Sequence, residues 1–481
     1  MDFRKKANIA TTRQEIGWAY PDMRWFSEEE AGEANRQRNE LLNALSGWIT
    51  SDFQGSKPHT GPLSPGCLIC GEGTWGCNFI NGLCSQNCFY CVEKQTNQER
   101  PPVTDGRVFK NPEDHVRYLK TLKFRGVGFS GGEPLLLLDR LLAHIEAIRH
   151  AFGESMYLWV YTNGFLADRS ALRELRRAGL DEIRFDIAAR NYDLAPVALA
   201  KEYFSTVTVE IPAIPEDLER LKGLLSEMQA MGVSFLNLHQ LFTTEHNFKA
   251  LHRRGYHFLH QPTVPVFESE ICALRLLLFA RERQILLPIN YCCSAYKDRF
   301  QGRGLRRRLA TAMPKGSEGI SDAGYIRSFR VSDSTDKIEA MVRRLGDAHC
   351  ATARWECDRA RTAIAIHSEL LSYIDWTSAD VTLEYSMPVV QLKNPADGFA
   401  EGNLVATNQV VYQQHGWSQA AIECWRKLFV MKTNPKDAFR EFYQVYPATG
   451  KDAIVKAQGE AERLKRLSIW EELETGLPEI Y

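Results

Sequence analysis

The chain has 481 residues, 44% of them hydrophobic, with 59 Lys and Arg against 60 Asp and Glu and a formal net charge of −1 at pH 7. That length exceeds one ordinary domain, so two or three are expected, with ample apolar content for their cores. A balanced charge excludes a global field that would draw the chain onto nucleic acid or an anionic membrane, and recognition must be local. The opening Met1-Asp-Phe-Arg-Lys-Lys-Ala lacks the apolar run of a secretory signal. The longest apolar stretch, Ile271 to Ile289, is broken by Arg275, Arg281, Glu282 and Arg283. The expectation is a cytoplasmic protein without a membrane span, whose 12 cysteines point to metal or redox chemistry more than to disulfides.

Ser27 followed by Glu28, Glu29 and Glu30 predicts a capping box opening an amphipathic helix that runs to about Trp48. A Gly/Pro/Ser-rich stretch follows, so residues 1–66 are expected to form an N-terminal extension with one helix. Cys67 and Cys70 then form a CxxC, and Cys77 follows. From Trp75 to about Cys293, short β-rich runs alternate with stretches of helical period. The runs are 76–82, 127–130, 156–162, 182–187, 206–211, 235–239 and 285–290. Leu138, Leu141, Leu142, Ile145 and Ile148 mark one helix face between them. Strand, helix, strand in series implies an α/β domain with a parallel sheet and outer helices, placed at 67–315. After that the pattern changes: long helical stretches (333–373, 418–430, 448–473) flank strand-like runs at 380–392 and 403–413. This predicts a separate α+β domain, 316–481, to which the sequence assigns no function.

The most informative segment is Asn81-Gly-Leu-Cys-Ser-Gln-Asn-Cys-Phe-Tyr-Cys91. Cys84, Cys88 and Cys91 are spaced to hold three corners of a cubane [4Fe-4S] cluster, leaving the fourth iron free to bind something else. A zinc site or buried thiols are the alternatives. Gly131-Gly132-Glu133-Pro134 lies downstream, where the glycines would let backbone approach a ligand and Glu133 would offer a carboxylate to an ammonium.

The cysteine spacing, with Tyr90 before the last thiol, resembles the cluster loop of the radical S-adenosylmethionine (SAM) superfamily, and Gly131 to Pro134 resembles its SAM-amino motif. Further segments are similar to a radical SAM group related to pyruvate formate-lyase activating enzymes: the Cys67-x-x-Cys70 lead-in, Phe79-Ile-Asn-Gly-Leu-Cys84, Cys88-Phe-Tyr-Cys91, Asp181-Glu-Ile-Arg-Phe185, Val209-Glu-Ile-Pro-Ala-Ile-Pro215, Phe235-Leu-Asn-Leu-His239 and Tyr291-Cys-Cys-Ser-Ala-Tyr-Lys-Asp298. The coverage is about residues 67–310. Departures fall at Asp186, where histidine is expected, and Val92, where proline is usual. The resemblance implies a partial (β/α)6 TIM-like barrel, a [4Fe-4S] cluster and SAM as cofactors, and reductive cleavage of SAM to methionine and a 5′-deoxyadenosyl radical. It also implies an electron donor such as flavodoxin or ferredoxin, and a peptide or small molecule as substrate. Both motifs follow predicted strands, which would set them at the C-terminal mouth of the barrel.

Other strand ends supply further cofactor-site candidates: Thr162 and Asn163 after the third strand, Arg184 and Asp186 on the fourth, and Glu210 on the fifth. A charged pair inside a barrel needs a reason, and an internal salt bridge is the structural alternative. Asn237 and His239 on the sixth strand are weaker candidates. Cys67, Cys70 and Cys292 form a candidate set for a second iron-sulfur cluster or a zinc ion, with ordinary buried thiols as the alternative for these and for Cys293. Chain direction puts Cys77 at the barrel's bottom and Cys292 at its top, so a joint site requires the segment before the first strand to climb over the barrel. Cys272, Cys350, Cys357 and Cys424 read as packing residues. The stretch His252 to His260 reads as a lid or a solvated loop, and Arg303, Arg306, Arg307 and Arg308 as an anion site or a solvated helix face.

Three functions follow: a radical SAM enzyme abstracting hydrogen from a peptide side chain or specialised metabolite, an activase of a glycyl-radical enzyme, or a non-catalytic iron-sulfur or zinc scaffold.

Overall fold

The computed structural model describes residues 3–93, 98–261, 263–313, 315–375, 378–390, 404–415 and 473–480, together with 467, 470 and 471. Two compact units emerge, one built on Met1–Gly302 and Glu474–Tyr481, the other beginning at Arg303.

The first unit starts with helix α1 (Phe3–Glu15). Its Lys, Arg, Asn and Gln residues leave no clear apolar stripe, which is why the sequence pattern predicted only the next helix. That helix, α2 (Glu28–Leu45), carries the expected capping box: Glu30 N donates to the Ser27 hydroxyl, and Ser27 N donates to the Glu30 carboxylate. It ends before the predicted Trp48, with Gly47 at φ 75° just beyond. Strand β1 (Lys57–His59) and a short helix α3 (Pro65–Gly71) follow.

Then come β2 (Trp75–Phe79), α4 (Pro112–Thr121), β3 (Gly126–Ser130), α5 (Leu138–Phe152), β4 (Tyr157–Thr162), α6 (Arg169–Ala178), β5 (Glu182–Phe185), α7 (Ala195–Ala200), β6 (Thr206–Pro212), α8 (Leu218–Ala230), β7 (Phe235–His239), α9 (Phe267–Glu282) and β8 (Ile289–Cys292). The helices begin and end for local reasons. In α6, Asp168 caps the start by accepting from Ser170 N and Ala171 N, and Gly179 in the left-handed region stops it. Its buried face is Ala171, Leu172, Leu175 and Ala178.

Strands β2 to β8 are parallel and lie in sequence order, with β1 added antiparallel to β8 at one edge. The sheet does not close on itself, since β2 and β8 are not paired. This is a partial TIM-like barrel whose seven parallel strands answer the seven β-rich runs, one more than the (β/α)6 barrel of the resemblance, with short antiparallel strands beyond both ends: β1 and Thr50–Ser51 next to β8, and Val103–Thr104 and Arg107–Val108 next to β2. Strands buried on both faces fit this role, and all four residues of β5 are buried. The last strand starts at Ile289 rather than Ile285. Gln284 at φ 54° ends the preceding helix, and Leu286 N and Leu287 N bond to Gln229 Oε1, so the apolar 285–287 segment is a turn.

The second unit contains α10 (Arg303–Thr311), β9 (Glu318–Ile320), β10 (Ile326–Ser332), α11 (Thr335–Asp347), β11 (Trp355–Cys357), β12 (Ala363–Ile366), β13 (Asp380–Val390) and β14 (Leu404–His415). Its sheet is antiparallel in the order β11-β12-β10-β13-β14. Ile338, Met341 and Leu345 of α11 pack on Phe329, Val331, Ile364 and Leu383. The helix predicted across 333–373 stops at Asp347, and His349 at φ 53° begins the turn into β11. The predicted helix 418–430, most of 448–473, and Cys424 lie outside the described residues.

Candidate functional site

The cysteine loop leaves β2 and rests on the end of β3. Ile80 N continues the ladder to Ser130 O at 2.8 Å. Asn81 then holds both segments: its Oδ1 accepts from Leu83 N at 2.6 Å, and its Nδ2 donates to Glu133 O at 3.2 Å. Glu133 N donates to Leu83 O at 2.6 Å. A Cβ on Gly132, at φ +51°, would lie 1.9 Å from Leu83 O, and one on Gly131, at φ +85°, would lie 2.8 Å from Asn81 O. The glycine pair is therefore required first by the cysteine loop itself, a different reason from the ligand approach inferred from sequence. Asn81 was not singled out in the sequence, although it sits inside one of the resembling segments.

Cys84, Cys88 and Cys91 are all partly exposed. Cys91 N bonds to Cys88 O at 3.0 Å, making the turn that brings their side chains near one another. Cys84 Sγ accepts from Gln86 N at 3.5 Å and Asn163 Nδ2 at 3.9 Å. Burial pushes the Cys88 thiol up to about 12 and raises that of Cys84, and in both cases the other loop thiols add to the rise. Crowded thiols of this kind are the ones a metal deprotonates on binding. Among the described residues no three His, Cys, Asp or Glu side chains are already gathered into a metal-holding group, and this applies to Cys84, Cys88 and Cys91 as to Cys67, Cys70 and Cys292. What fits a cluster here is the loop: accessible sulfurs, an N–H donor to one of them, and a backbone seat that admits no side chain.

Tyr90 OH donates to Asp186 Oδ2 at 2.9 Å, tying the loop to the end of β5. Asp186 lies just past the strand, which ends at Phe185, and caps the following turn through Ala189 N. Burial raises its carboxyl to about 6, against the hydrogen bond from Tyr90.

Glu133 corrects another expectation. Its side chain is 1% exposed, and it accepts from Leu135 N at 3.1 Å, Thr162 Oγ1 at 2.8 Å and Asn163 N at 2.8 Å. Rather than standing open to an ammonium, the carboxylate ties the ends of β3 and β4. Burial raises its pKa to about 7, opposed by those donors. Thr162 and Asn163 thus reach the site through Glu133, and Pro134 starts the turn that follows.

Deeper in the barrel, Arg184 is surrounded. It pairs with Glu182 at 2.9 Å and Glu210 at 2.8 Å, and donates to Ser64 Oγ at 3.0 Å. Burial opposes its charge, but Glu182 and Glu210 outweigh it and raise its pKa. Arg184 therefore takes the internal salt bridge that was its structural alternative. Glu210 also accepts from Asn237 Nδ2 at 2.9 Å and from His239 Nε2. Against burial, Arg184 and His239 hold its carboxyl well below the usual range. Lys297 Nζ lies 2.9 Å from His239 Nδ1, and burial and Lys297 lower the imidazole. The row Arg184, Glu210, His239, Lys297 thus runs from the interior towards the C-terminal ends of the strands, with Arg184 and Glu210 buried and His239 and Lys297 half-buried.

Cys67 and Cys70 reach the interior by an unexpected route. β1 pairs antiparallel with β8 through His59 and Asn290, and α3 then lies against β2, β3 and β4. A Cβ on Gly66 of α3 would collide with Arg184 Nη2 at 2.3 Å. Cys67 meets Asn237, Asn290 and Arg184, and Cys70 meets Gln301 and Tyr296. Cys292 ends β8, and Cys293 caps the next turn by accepting from Tyr296 N. Lys57, missed in the sequence, is 1% exposed, with its ammonium 3.7 Å from the Tyr296 ring centre. Cys77 pairs with Gly128 in the middle of β2 rather than opening it.

The remaining expectations resolve as packing. His257 pairs with Glu268 at 2.7 Å and stacks on Phe26, and His260 stacks on Trp25 at 4.1 Å, so 256–260 is packed, while residues 252–255 are exposed. Arg303, Arg306 and Arg307 donate to the carbonyls of Asp322, Ala323 and Ser321, and so hold a turn. Cys272 donates to Ile214 O at 3.4 Å inside the core.

A parallel partial barrel whose three-cysteine loop is seated on a Gly-Gly-Glu-Pro strand end is the arrangement that the radical SAM resemblance implied. Residues 79–228 match the family model described as Radical SAM superfamily, and the chain is an enzyme of that class, whose cofactors are a [4Fe-4S] cluster and SAM. It is 29% identical over 292 residues to a Methanocaldococcus jannaschii protein described as "Putative glycyl-radical enzyme activating enzyme", covering 58% of this chain and 76% of that one. Solved structures with partial overlap include Streptococcus suis SuiB bound to S-adenosylmethionine (13% identity, 45% of this chain and 49% of that chain, TM-score 0.33). Another is anSMEcpe with bound AdoMet (16% identity, 36% and 52%, TM-score 0.28). The chain spans about half the length of these two. Among the described residues no helix is long and apolar enough to cross a membrane.

Proposed function

We propose that Cys84, Cys88 and Cys91 hold the cluster, and that the enzyme abstracts hydrogen from a peptide side chain or a specialised metabolite at the barrel mouth. The observation that carries this is the seat of the cysteine loop, where Gly132 leaves no room for a Cβ against Leu83 O. When bound and reduced by one electron from a flavodoxin- or ferredoxin-like donor, the cluster with SAM supplies homolysis of the C5′–S bond, yielding methionine and a 5′-deoxyadenosyl radical. The chain's own residues do the positioning. Asn81 and Glu133 hold the loop to β3, Tyr90 and Asp186 hold it to β5, and Asn163 bonds to Cys84. Arg184 and Glu210 support the mouth from within and orient His239, whose half-buried ring faces the space a substrate would enter. The compartment proposed is the cytoplasm.

The description of the M. jannaschii relative favours a second reading, in which the hydrogen comes from a glycine of a partner enzyme. Anaerobic reconstitution with dithionite and SAM tests the first step. Fully loaded protein is expected to form 5′-deoxyadenosine, and the Cys84→Ala/Cys88→Ala/Cys91→Ala variant is not. Loaded wild-type protein that forms none would refute the enzyme and leave the scaffold. A persistent glycyl radical signal on a co-purifying partner would select the activase.

A further inference from the structure

We propose that Lys297, seated on His239, is the receptor for a carboxylate of the substrate. This rests on the reading of the barrel mouth as the place where the substrate enters, and it narrows that substrate to a molecule bearing an acidic group.

The placement comes first. Strand β8 ends at Cys292, and a short turn leads to Lys297, which opens a π-helical turn, Lys297–Gly302. Turns of this kind are rare and recur at functional sites. His239 is the last residue of β7 and pairs in register with Cys292, so the imidazole stands at the C-terminal ends of the strands. Lys297 is half-buried, with its ammonium 2.9 Å from His239 Nδ1 and 5.2 Å from the Phe242 ring centre.

The second observation is the direction of the hydrogen bonds. An ammonium can only donate, so His239 Nδ1 accepts, and the ring proton sits on Nε2, which donates to Glu210. The imidazole is therefore neutral. A protonated His239 would have answered Glu210 as a cation. Lys297 removes that option and keeps the positive charge at the outer end of the row. Glu210 is already claimed by Arg184 at 2.8 Å and Asn237 Nδ2 at 2.9 Å.

The third observation is the charge left over. Of the three N–H groups on Lys297, His239 takes one, and among the described residues the ammonium has no carboxylate partner and no other acceptor. Asp298, next in sequence, accepts from Thr263 N at 3.3 Å and Thr263 Oγ1 at 2.7 Å, and Arg299 pairs with Glu474 at 2.8 Å. Behind Lys297 lies Lys57, 1% exposed, with its ammonium 3.7 Å from the Tyr296 ring centre and, among the described residues, no carboxylate on it either. Its charge acts on His239 together with that of Lys297. Two ammoniums without carboxylates at one end of β7 and β8 make a positive, partly dehydrated spot, where a carboxylate gains more than it would in bulk water. The methionyl carboxylate of SAM is the other anion at hand. The cysteine loop rests on β2 and β3, at the opposite end of the strand order from β8, which favours the substrate.

The test uses the cluster-loaded, full-length protein without reductant, so that no SAM is cleaved. Acetylation of Lys297 by N-hydroxysuccinimidyl acetate is followed by peptide mass spectrometry, with the exposed Lys120 as reference. Millimolar succinate, or a terminally blocked Ala-Glu-Ala peptide, is expected to slow Lys297 about tenfold or more and to leave Lys120 unchanged, whereas succinamide and the Ala-Gln-Ala peptide should not protect. Protection by succinate alone assigns a small acid, protection by the peptide alone assigns an acidic side chain, and each supports the receptor. The protecting acid should also raise the thermal midpoint of the wild type, less so that of Lys297→Arg, and not that of Lys297→Met. Absence of protection by either acid overturns the proposal. So does protection by SAM alone, which would give the ammonium to the cofactor. The enzyme reading fails separately: protection without 5′-deoxyadenosine in the reduced reaction would sink that reading and keep the anion site, while 5′-deoxyadenosine without protection overturns the receptor alone.

Discussion

Gly132→Ala is the sharpest perturbation of the cluster seat. The residue sits at φ +51°, where an L side chain costs about 1 kcal/mol, and the new Cβ would lie 1.9 Å from Leu83 O and 2.6 Å from Leu83 C. Both contacts are backbone, so no side chain can swing away. The loop must lift, which breaks the 2.6 Å bond from Glu133 N to Leu83 O, worth about another 1 kcal/mol. Together these shift the equilibrium between seated and lifted loop by about 2 kcal/mol, or roughly thirty-fold. The expected outcome is a folded chain with normal thermal unfolding of the second unit, lowered iron content after reconstitution, and 5′-deoxyadenosine formation down about thirty-fold per chain. Gly153→Ala is the control, since its φ of +56° is likewise positive and nothing lies within 4 Å of the added Cβ. Wild-type iron loading and turnover in Gly132→Ala would refute the claim that the loop rests on this backbone.

Three further outcomes follow from the same geometry. Tyr90→Phe removes the bond to Asp186 and should speed cluster loss in air about tenfold, followed by iron release, with little change in thermal stability. Arg184→Met leaves Glu182 and Glu210 buried without their cation and should cost about 3–5 kcal/mol in denaturant unfolding; Arg184→Lys should recover only part, because one ammonium cannot replace the guanidinium fork. His115 and His144 flank Asn78 in the core, and burial lowers them to about 3 and about 4. Below about pH 6.5 the unfolded chain takes up protons that these rings refuse, so their contribution to stability is full above that pH and declines as pH falls. The stability gap between wild type and His115→Gln should therefore narrow by about 1.4 kcal/mol per pH unit between 6.5 and 4, and a gap that stays constant from pH 7.5 to 5 would contradict the assignment.

The barrel was legible because its strands are short, apolar and separated by one-sided helices, and the cysteine loop because its spacing is rare. Side-chain direction was harder to read. Glu133 looked like an open carboxylate, but besides Leu135 N two donors from the end of β4 claim it, and these lie up to 30 residues away in sequence. Asp186 seemed to continue the alternation of β5, yet the strand ends at Phe185 and the residue turns towards Tyr90. The apolar run 285–287 has no local mark of a turn except Pro288, so it resembled a strand. Lys57 carried no signal at all, because a lysine in a Gly/Pro/Ser-rich segment ordinarily faces water.

Strand β1, which joins β8 from the N-terminal segment, also sets an order of assembly. Thr60 N bonds to Ile289 O at 2.8 Å, and Tyr296 OH reaches Cys70 across a separation of 226 residues. This segment leaves the ribosome before any barrel strand, yet it cannot dock until the last one has been made, on the order of tens of seconds later. During that interval Cys67 and Cys70 stay accessible on a growing chain, and the edge of β8 has no partner. The N-terminal segment is thus synthesised first and locked last, and a chain lacking residues before Pro65 should fold its helices but leave the sheet edge open to aggregation.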